Sequence, residues 1–179
     1  VLFSAPYGAK GSLIGLLNVG STANREVTGS IRWLKKDLGA ASTERNYKSG
    51  FGPYNLTATG RAYTAPASGQ LIVSMPGGAG NAKATFSPLR LNTGETALEG
   101  SETATFTLNS NHSVTLPAAT STMTLLSLKV LPKTGAFSGR VRFVDGAVTR
   151  EAPFEGVFVK DAVNATAGKG AGHLLLPHL

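Results

Sequence analysis

The amino-acid sequence predicts an all-β protein: an antiparallel barrel or a tight β-sandwich of about ten to twelve short strands. The first of three observations behind this is a strand pattern with a glycine in it, repeated five times. The copies are Leu13-x-Gly15-x-Leu17-x-Val19, Val27-x-Gly29-x-Ile31-x-Trp33, Phe137-x-Gly139-x-Val141-x-Phe143, Phe154-x-Gly156-x-Phe158 and Gly170-x-Gly172-x-Leu174-x-Leu176. Apolar residues on alternate positions are the period of a strand with one buried face, and each glycine falls on that face. Inward glycines mark bends, bulges or close backbone approach, so their repetition predicts a strongly coiled sheet. Second, 22 Gly and 9 Pro punctuate the chain at short intervals. Third, no stretch holds a sustained helical period.

The elements follow in order. Residues 1–7 read as a short strand, and Lys10 with its flanking glycines as a turn. Residues 12–19, nearly all apolar, read as a strand buried on both sides or at the centre of a sheet. In 26–35, Val27, Gly29, Ile31 and Trp33 face inward and Thr28, Ser30 and Arg32 outward. Residues 36–56 have no period and read as a long irregular loop, with a short helix at 36–41 as one option. Strands are expected at 57–63, 69–75 and 82–87, separated by Pro66, Pro76-Gly77-Gly78 and Pro88. Residues 89–101 read as surface chain. A hairpin joins 103–108 to 113–116 through Asn109–His112. Strand 123–131 places Leu126, Leu128 and Val130 on one face and turns through Pro132–Gly135. Strands 136–144 and 147–159 form a hairpin about Asp145-Gly146. A loop at 160–169 precedes a last strand at 170–176. The whole, 1–179, is read as one β domain, with 67–125 its least defined part.

A two-residue Asp145-Gly146 loop pairs Val144 with Ala147. Phe137 then faces Phe154 and Gly139 faces Ala152, leaving a thin spot. Arg140 lies outward beside Glu151 as an ion pair. Arg150 falls inward, opposite Val141. A buried unpaired arginine is costly. Three readings are open: the side chain snorkels from the rim, a bulge resets the register, or the arginine grips an anion inside the fold.

Composition narrows the function. Charged residues are 15% of the chain and Ser and Thr abound, a balance typical of extracellular β proteins. No cysteine excludes a disulfide framework and a thiolate metal site. The net charge of +7 is compatible with anionic partners, but the basic runs stop at Lys35-Lys36, so no specific nucleic-acid binding is expected. No apolar run reaches ~18 residues, so no transmembrane segment is expected. The chain opens on Val1-Leu2-Phe3 with neither an initiator methionine nor a signal peptide, which reads as a processed product or part of something longer.

The catalytic inventory is poor. His112 sits in a turn, and His173 and His178 lie near the end, with no His-x-x-x-His spacing for zinc. Asp37 neighbours lysines, Asp145 is a turn residue and Asp161 follows Lys160. Glu95, Glu99 and Glu102 cluster in one loop, which suits calcium better than a glycosidase pair but lacks the calcium-loop pattern. Pro76–Asn81 lacks the lysine and helix of a phosphate loop. Sequons stand at Asn55, Asn111 and Asn164. No catalytic, cofactor or metal residue is assigned. One stretch, 44–63, interleaves Arg45, Lys48 and Arg61 with Tyr47, Phe51, Tyr54 and Tyr63. It reads either as a stacking surface for sugars or bases, or as aromatics pinning a long loop.

A set of motifs occurs together in one order: Tyr7 to Leu17, Val27-Thr-Gly-Ser-Ile-Arg-Trp33, Tyr47-x-x-Gly50-Phe51 and Arg61-Ala-Tyr63-Thr64-Ala-Pro66, then Thr134-Gly135-x-Phe137-x-Gly139, Phe154-x-Gly156-Val157 and Gly170-x-Gly172-x-Leu174-Leu175-Leu176-Pro177. This order resembles an uncharacterised C-terminal β-rich region of large secreted bacterial multidomain proteins that carry Ig-like or other repeats. Ala9 stands where those regions carry Gly, and 67–125 lies outside the likeness. The resemblance implies a secreted or cell-surface module with no catalytic residues to carry over.

The expected function is therefore a noncatalytic extracellular module acting by contact, in structure, adhesion or assembly. Its expected partners are the rest of a longer parent polypeptide, other copies of itself, or an anionic glycan or surface. The rival readings are a small-molecule-binding β-barrel, a glycan-acting lectin or enzyme, and a basic viral coat subunit. The first and last strands are the expected exchange points, since terminal strands are the easiest to lend.

Overall fold

The computed structural model describes residues 1–5, 10–21, 25–43, 47–72, 78–89, 100–160, 168–174 and 176. Among them are eleven strands and no helix, so the all-β expectation holds. The strands are β1 (Leu2–Ser4), β2 (Gly11–Val19), β3 (Val27–Lys35), β4 (Phe51–Gly60), β5 (Ala82–Leu89), β6 (Gly100–Leu108), β7 (Val114–Thr115), β8 (Met123–Leu131), β9 (Ala136–Asp145), β10 (Val148–Lys160) and β11 (Gly168–Leu174). They form three antiparallel sheets, β1-β2-β3-β4, β11-β10-β9-β8 and β5-β6-β7. Among the described residues none closes into a barrel, which is consistent with a β-sandwich. The chain divides into two units, Val1–Ala62 and Tyr63–Leu179.

The first unit is a meander. The expected inward set of β3 holds: Val27, Gly29, Ile31 and Trp33 are half-buried, and Thr28, Ser30 and Arg32 exposed. The two glycine motifs interlock, with Gly15 opposite Ile31 and Leu17 opposite Gly29. A Cβ at either glycine would collide with backbone oxygen across the strand pair, Ser30 O or Leu16 O, so each position requires Gly in a sheet coiled this tightly. Three expectations need correction. β2 lies inside its sheet, between β1 and β3, but is not buried on both sides, because Ile14 and Leu16 lie exposed. β4 begins at Phe51, not 57, which shortens the irregular stretch to 36–50. No helix forms over 36–41; Asp37 instead accepts the Gly39 N–H in a tight turn.

The second unit is a sandwich. Phe86 and Ala104 from the β5–β7 sheet pack on Met123, Leu125, Val141, Phe143 and Phe154 of the β8–β11 sheet. Phe86 meets Phe143 and Phe154 edge-on, with ring centroids 5.7 and 5.3 Å apart. A second cluster joins Ile72, Ala82, Leu108 and Val130. In β8 Val130 is buried and Leu128 packs on the core, as expected, but Leu126 is the extra residue of a bulge between Leu125 and Ser127, so the inward side chains before it are Met123 and Leu125. Residues 69–72 form no strand, and the rest of the expected strand 69–75 lies outside the described residues, as does most of 89–101. The last strand begins at Gly168 and ends at Leu174, two residues ahead of its expected span at both ends.

The β9–β10 register is displaced by one pair from expectation. Asp145 pairs with Val148, so Gly146 and Ala147 are the loop. Gly146 has φ +58°, and its first loop position is where a primed turn with a single left-handed residue wants glycine. Moving the loop one residue along both strands keeps every side chain on its expected face but changes its partner. Phe137 therefore faces Gly156, and Phe154 faces Gly139. The thin spot expected at Gly139 is filled by the Phe154 ring, and the Phe137 ring lies over Gly156 and Gly170. The two Phe-x-Gly motifs thus interlock reciprocally, each ring covering the other strand's glycine. The Phe rings remain neighbours, with centroids 6.4 Å apart.

On the outer face Glu151 sits opposite Arg142 rather than Arg140. It accepts a hydrogen bond from Arg142 Nε at 2.7 Å and pairs more loosely with Arg140 Nη2 at 3.3 Å, so the expected ion pair survives as a diagonal one. The Arg142 hydrogen bond, more than the charges of Arg142 and Arg140, holds the Glu151 carboxyl below its ordinary value of 4.5 against a smaller opposing effect of desolvation. A lowered folded-state value contributes stability above the ordinary one, lost as pH falls through the folded value. The melting-temperature difference between wild type and Glu151→Gln is therefore expected to stay constant from neutral pH to above 4.5, and to close below it. Thermal melts across that range check this; a difference that widens on acidification contradicts it.

Candidate functional site

Of the 44–63 segment, the structure gathers the aromatic part and disperses the basic part. Phe51 packs edge-on against Trp33 at 4.8 Å and Tyr47 at 5.3 Å, and stacks on Tyr54 at 5.9 Å. The cluster fastens the irregular stretch before β4 onto β3. Arg61 is engaged with Glu26 at 2.7 Å, Lys48 is exposed, and Arg45 lies outside the described residues. Tyr63 belongs to the second unit. Its ring covers Gly135 and its hydroxyl donates to Pro132 O, clamping the β8–β9 turn. Burial pushes the Tyr63 hydroxyl up from its ordinary value. These contacts serve the loop-pinning reading of the segment.

Among the described residues the acid and histidine candidates do not converge. Glu102 accepts a hydrogen bond from Thr122 Oγ1 at 3.0 Å, while Glu95 and Glu99 lie outside the described residues. His173 is exposed on β11, 3.8 Å from Glu155. His178 and Asp161 lie outside the described residues, as do the side chain of Asp145 and the sequon Asn164. An open groove of about 420 Å³ runs beside Ser68, Ser110, Asn111, His112 and Lys133. His112 Nε2 is buried there without a hydrogen-bond partner, so no hydroxyl is paired with it as nucleophile to base. Among the described residues no group of three His, Asp or Glu is placed to hold a metal ion.

Two features stand apart from ordinary packing. One is Arg150. The β9–β10 register runs through it unbroken, opposite Phe143, so of the three readings of Arg150 the register-resetting bulge does not hold. The residue is 8% exposed, and its Nε and Nη2 are buried with no hydrogen-bond partner. Its position two residues from the Asp145–Val148 closure puts it near the turn end of the sheet, on the face of Phe143 and Ala152.

The other is the outer face of the β1–β2 edge. Phe3 pairs with Ile14, and Leu16 follows on the same face. Phe3 is 67% and Leu16 68% exposed. Ser30 and Arg32 border them on β3, and Thr57 and Asn55 continue the face on β4 as a polar surface. Sequence reasoning read the apolar run of β2 as buried and so missed the patch. Its signal was there in Phe3, Ile14 and Leu16, which sit on the face opposite to the glycine motif.

No known protein family, curated protein or solved structure matches this chain. No helix among the described residues is long and apolar enough to cross a membrane.

Proposed function

We propose that this chain is a noncatalytic β module that acts by contact, and that the β1–β2 edge is where it does so. The observation that carries the reading is the exposed Phe3–Ile14–Leu16 patch, which spans β2 and the edge strand β1, whose outer side has no partner among the described residues. Exposed apolar side chains beside unpaired strand hydrogen bonds suit the addition of another chain's strand, with the patch supplying apolar burial. The partner is another copy of the chain or the remainder of a longer polypeptide, in keeping with the secreted bacterial regions that the sequence resembles. The dispersal of His, Asp and Glu among the described residues supports a contact role over an enzymatic one.

The test is Phe3→Asp with Leu16→Asp. Both side chains are exposed, so the melting temperature should move little, while self-association measured by sedimentation equilibrium should fall about tenfold or more. Wild type that stays monomeric at high concentration, and that binds no strand peptide at this edge, sinks the reading. Turnover of a glycan or ester by the purified chain would replace it with an enzyme.

A further inference from the structure

We propose that Arg150 is the anchor of a binding site for a small oxyanion of the carboxylate or phosphate class. The argument starts from its surroundings. Arg150 projects from the inward face of β10, beside Phe143, on the face that carries the buried Val141 and Ala152. An arginine side chain keeps its charge in proteins, so it cannot relieve its burial by losing a proton. An isolated buried cation is among the least favourable arrangements in a folded chain. Yet Nε and Nη2 have no acceptor, and the ion pairs of the β9–β10 hairpin are made on the opposite face, by Arg140, Arg142 and Glu151.

Nε and Nη2 form one side of the guanidinium fork, the geometry that takes two oxygens of a carboxylate or phosphate in parallel hydrogen bonds. A register break would have turned the side chain outward, and the strand keeps its register instead. Lysine would not serve equally, since its ammonium offers no planar fork. This inference is independent of the contact role, because Arg150 belongs to the sandwich unit and the apolar patch to the meander.

The experiment is a thermal-shift titration of the whole chain with sodium phosphate and, separately, sodium acetate, each matched in ionic strength by sodium chloride. Wild type should gain about 4 °C or more over its chloride control with at least one of the two anions, and which one identifies the source. Arg150→Met should be insensitive to both, and in anion-free buffer should melt no lower than wild type, because an unpaired buried charge has been exchanged for an apolar side chain. Lys129→Met, which removes an exposed charge from β8, should keep the wild-type response. Isothermal titration of wild type with phosphate and acetate provides a readout that does not depend on the variants folding. Equal responses of wild type and Arg150→Met overturn the proposal. So does a lower melting temperature for Arg150→Met than for wild type in anion-free buffer, since the buried charge would then be satisfied without an added anion.

Discussion

Replacing Phe154 with alanine is expected to destabilise the Tyr63–Leu179 unit by about 3–5 kcal/mol, the range for a buried aromatic cut back to a methyl group. Phe154 is nearly fully buried, and its ring has three roles at once. It packs edge-on against Phe86 of the facing sheet, neighbours Phe137 along its own sheet, and covers Gly139 across the strand pair. The first contact joins the two layers of the sandwich, so the cavity left by its loss opens at their interface. Gly139 cannot fill that space, having no side chain. Phe154→Leu should recover part of the loss. Denaturant unfolding measures both, with an unchanged slope showing that the same surface is exposed. A cost below about 1 kcal/mol for Phe154→Ala would contradict the packing described.

Gly139→Ala is the second large effect. A single added methyl at Gly139 would strike the backbone oxygen of Ser127 and the Phe154 ring. Overpacking of this kind costs about 1–3 kcal/mol and occasionally more, and a backbone oxygen inside a paired sheet gives way least. Removing the ring by Phe154→Ala should therefore fail to rescue Gly139→Ala, because the Ser127 oxygen remains. Gly170→Ala is the internal comparison. Its methyl meets only the edge of the Phe137 ring, at 2.9 Å, which can shift by a few tenths of an ångström. Its penalty should be clearly smaller than that of Gly139→Ala in the same unfolding experiment. Equal penalties at the two positions would mean that the glycines are required for something other than space.

Much of the architecture was legible because its cause is local. Alternation along β3, β9 and β10 assigns faces residue by residue, and those assignments hold in the structure. The glycine on the inward face foretold close approach, and the collisions at Gly15, Gly29, Gly139 and Gly156 are that approach. Register was harder. Asp145-Gly146 and Gly146-Ala147 are both two-residue loops consistent with the same alternation, and they differ only in which position takes the left-handed backbone. The first half of the β8 face was misread for a related reason. A bulge at Leu125–Ser127 shifts the inward set in mid-strand from Met123 and Leu125 to Leu128 and Val130, and the adjacent pair Leu125-Leu126 is its trace in the sequence. Of the functional candidates, the sequence singled out Arg150 as an inward charge but could not show that it lacks an acceptor, since acceptors come from other strands.

By itself the sequence determined the class of fold, the inward and outward sets of its clearest strands, and the poverty of catalytic groups. Each of these depends on residue type and on a spacing of two along one chain. Only the tertiary structure decided that the sheets stay open as a meander and a sandwich, that each Phe ring of the last hairpin lies on the other strand's glycine, that Leu16 is exposed and that Arg150 is buried with Nε and Nη2 unpartnered. Those outcomes depend on which strand lies beside which and on where a turn places its one left-handed residue. Pairing of that kind is a property of two segments at once, and a period read along one segment does not contain it.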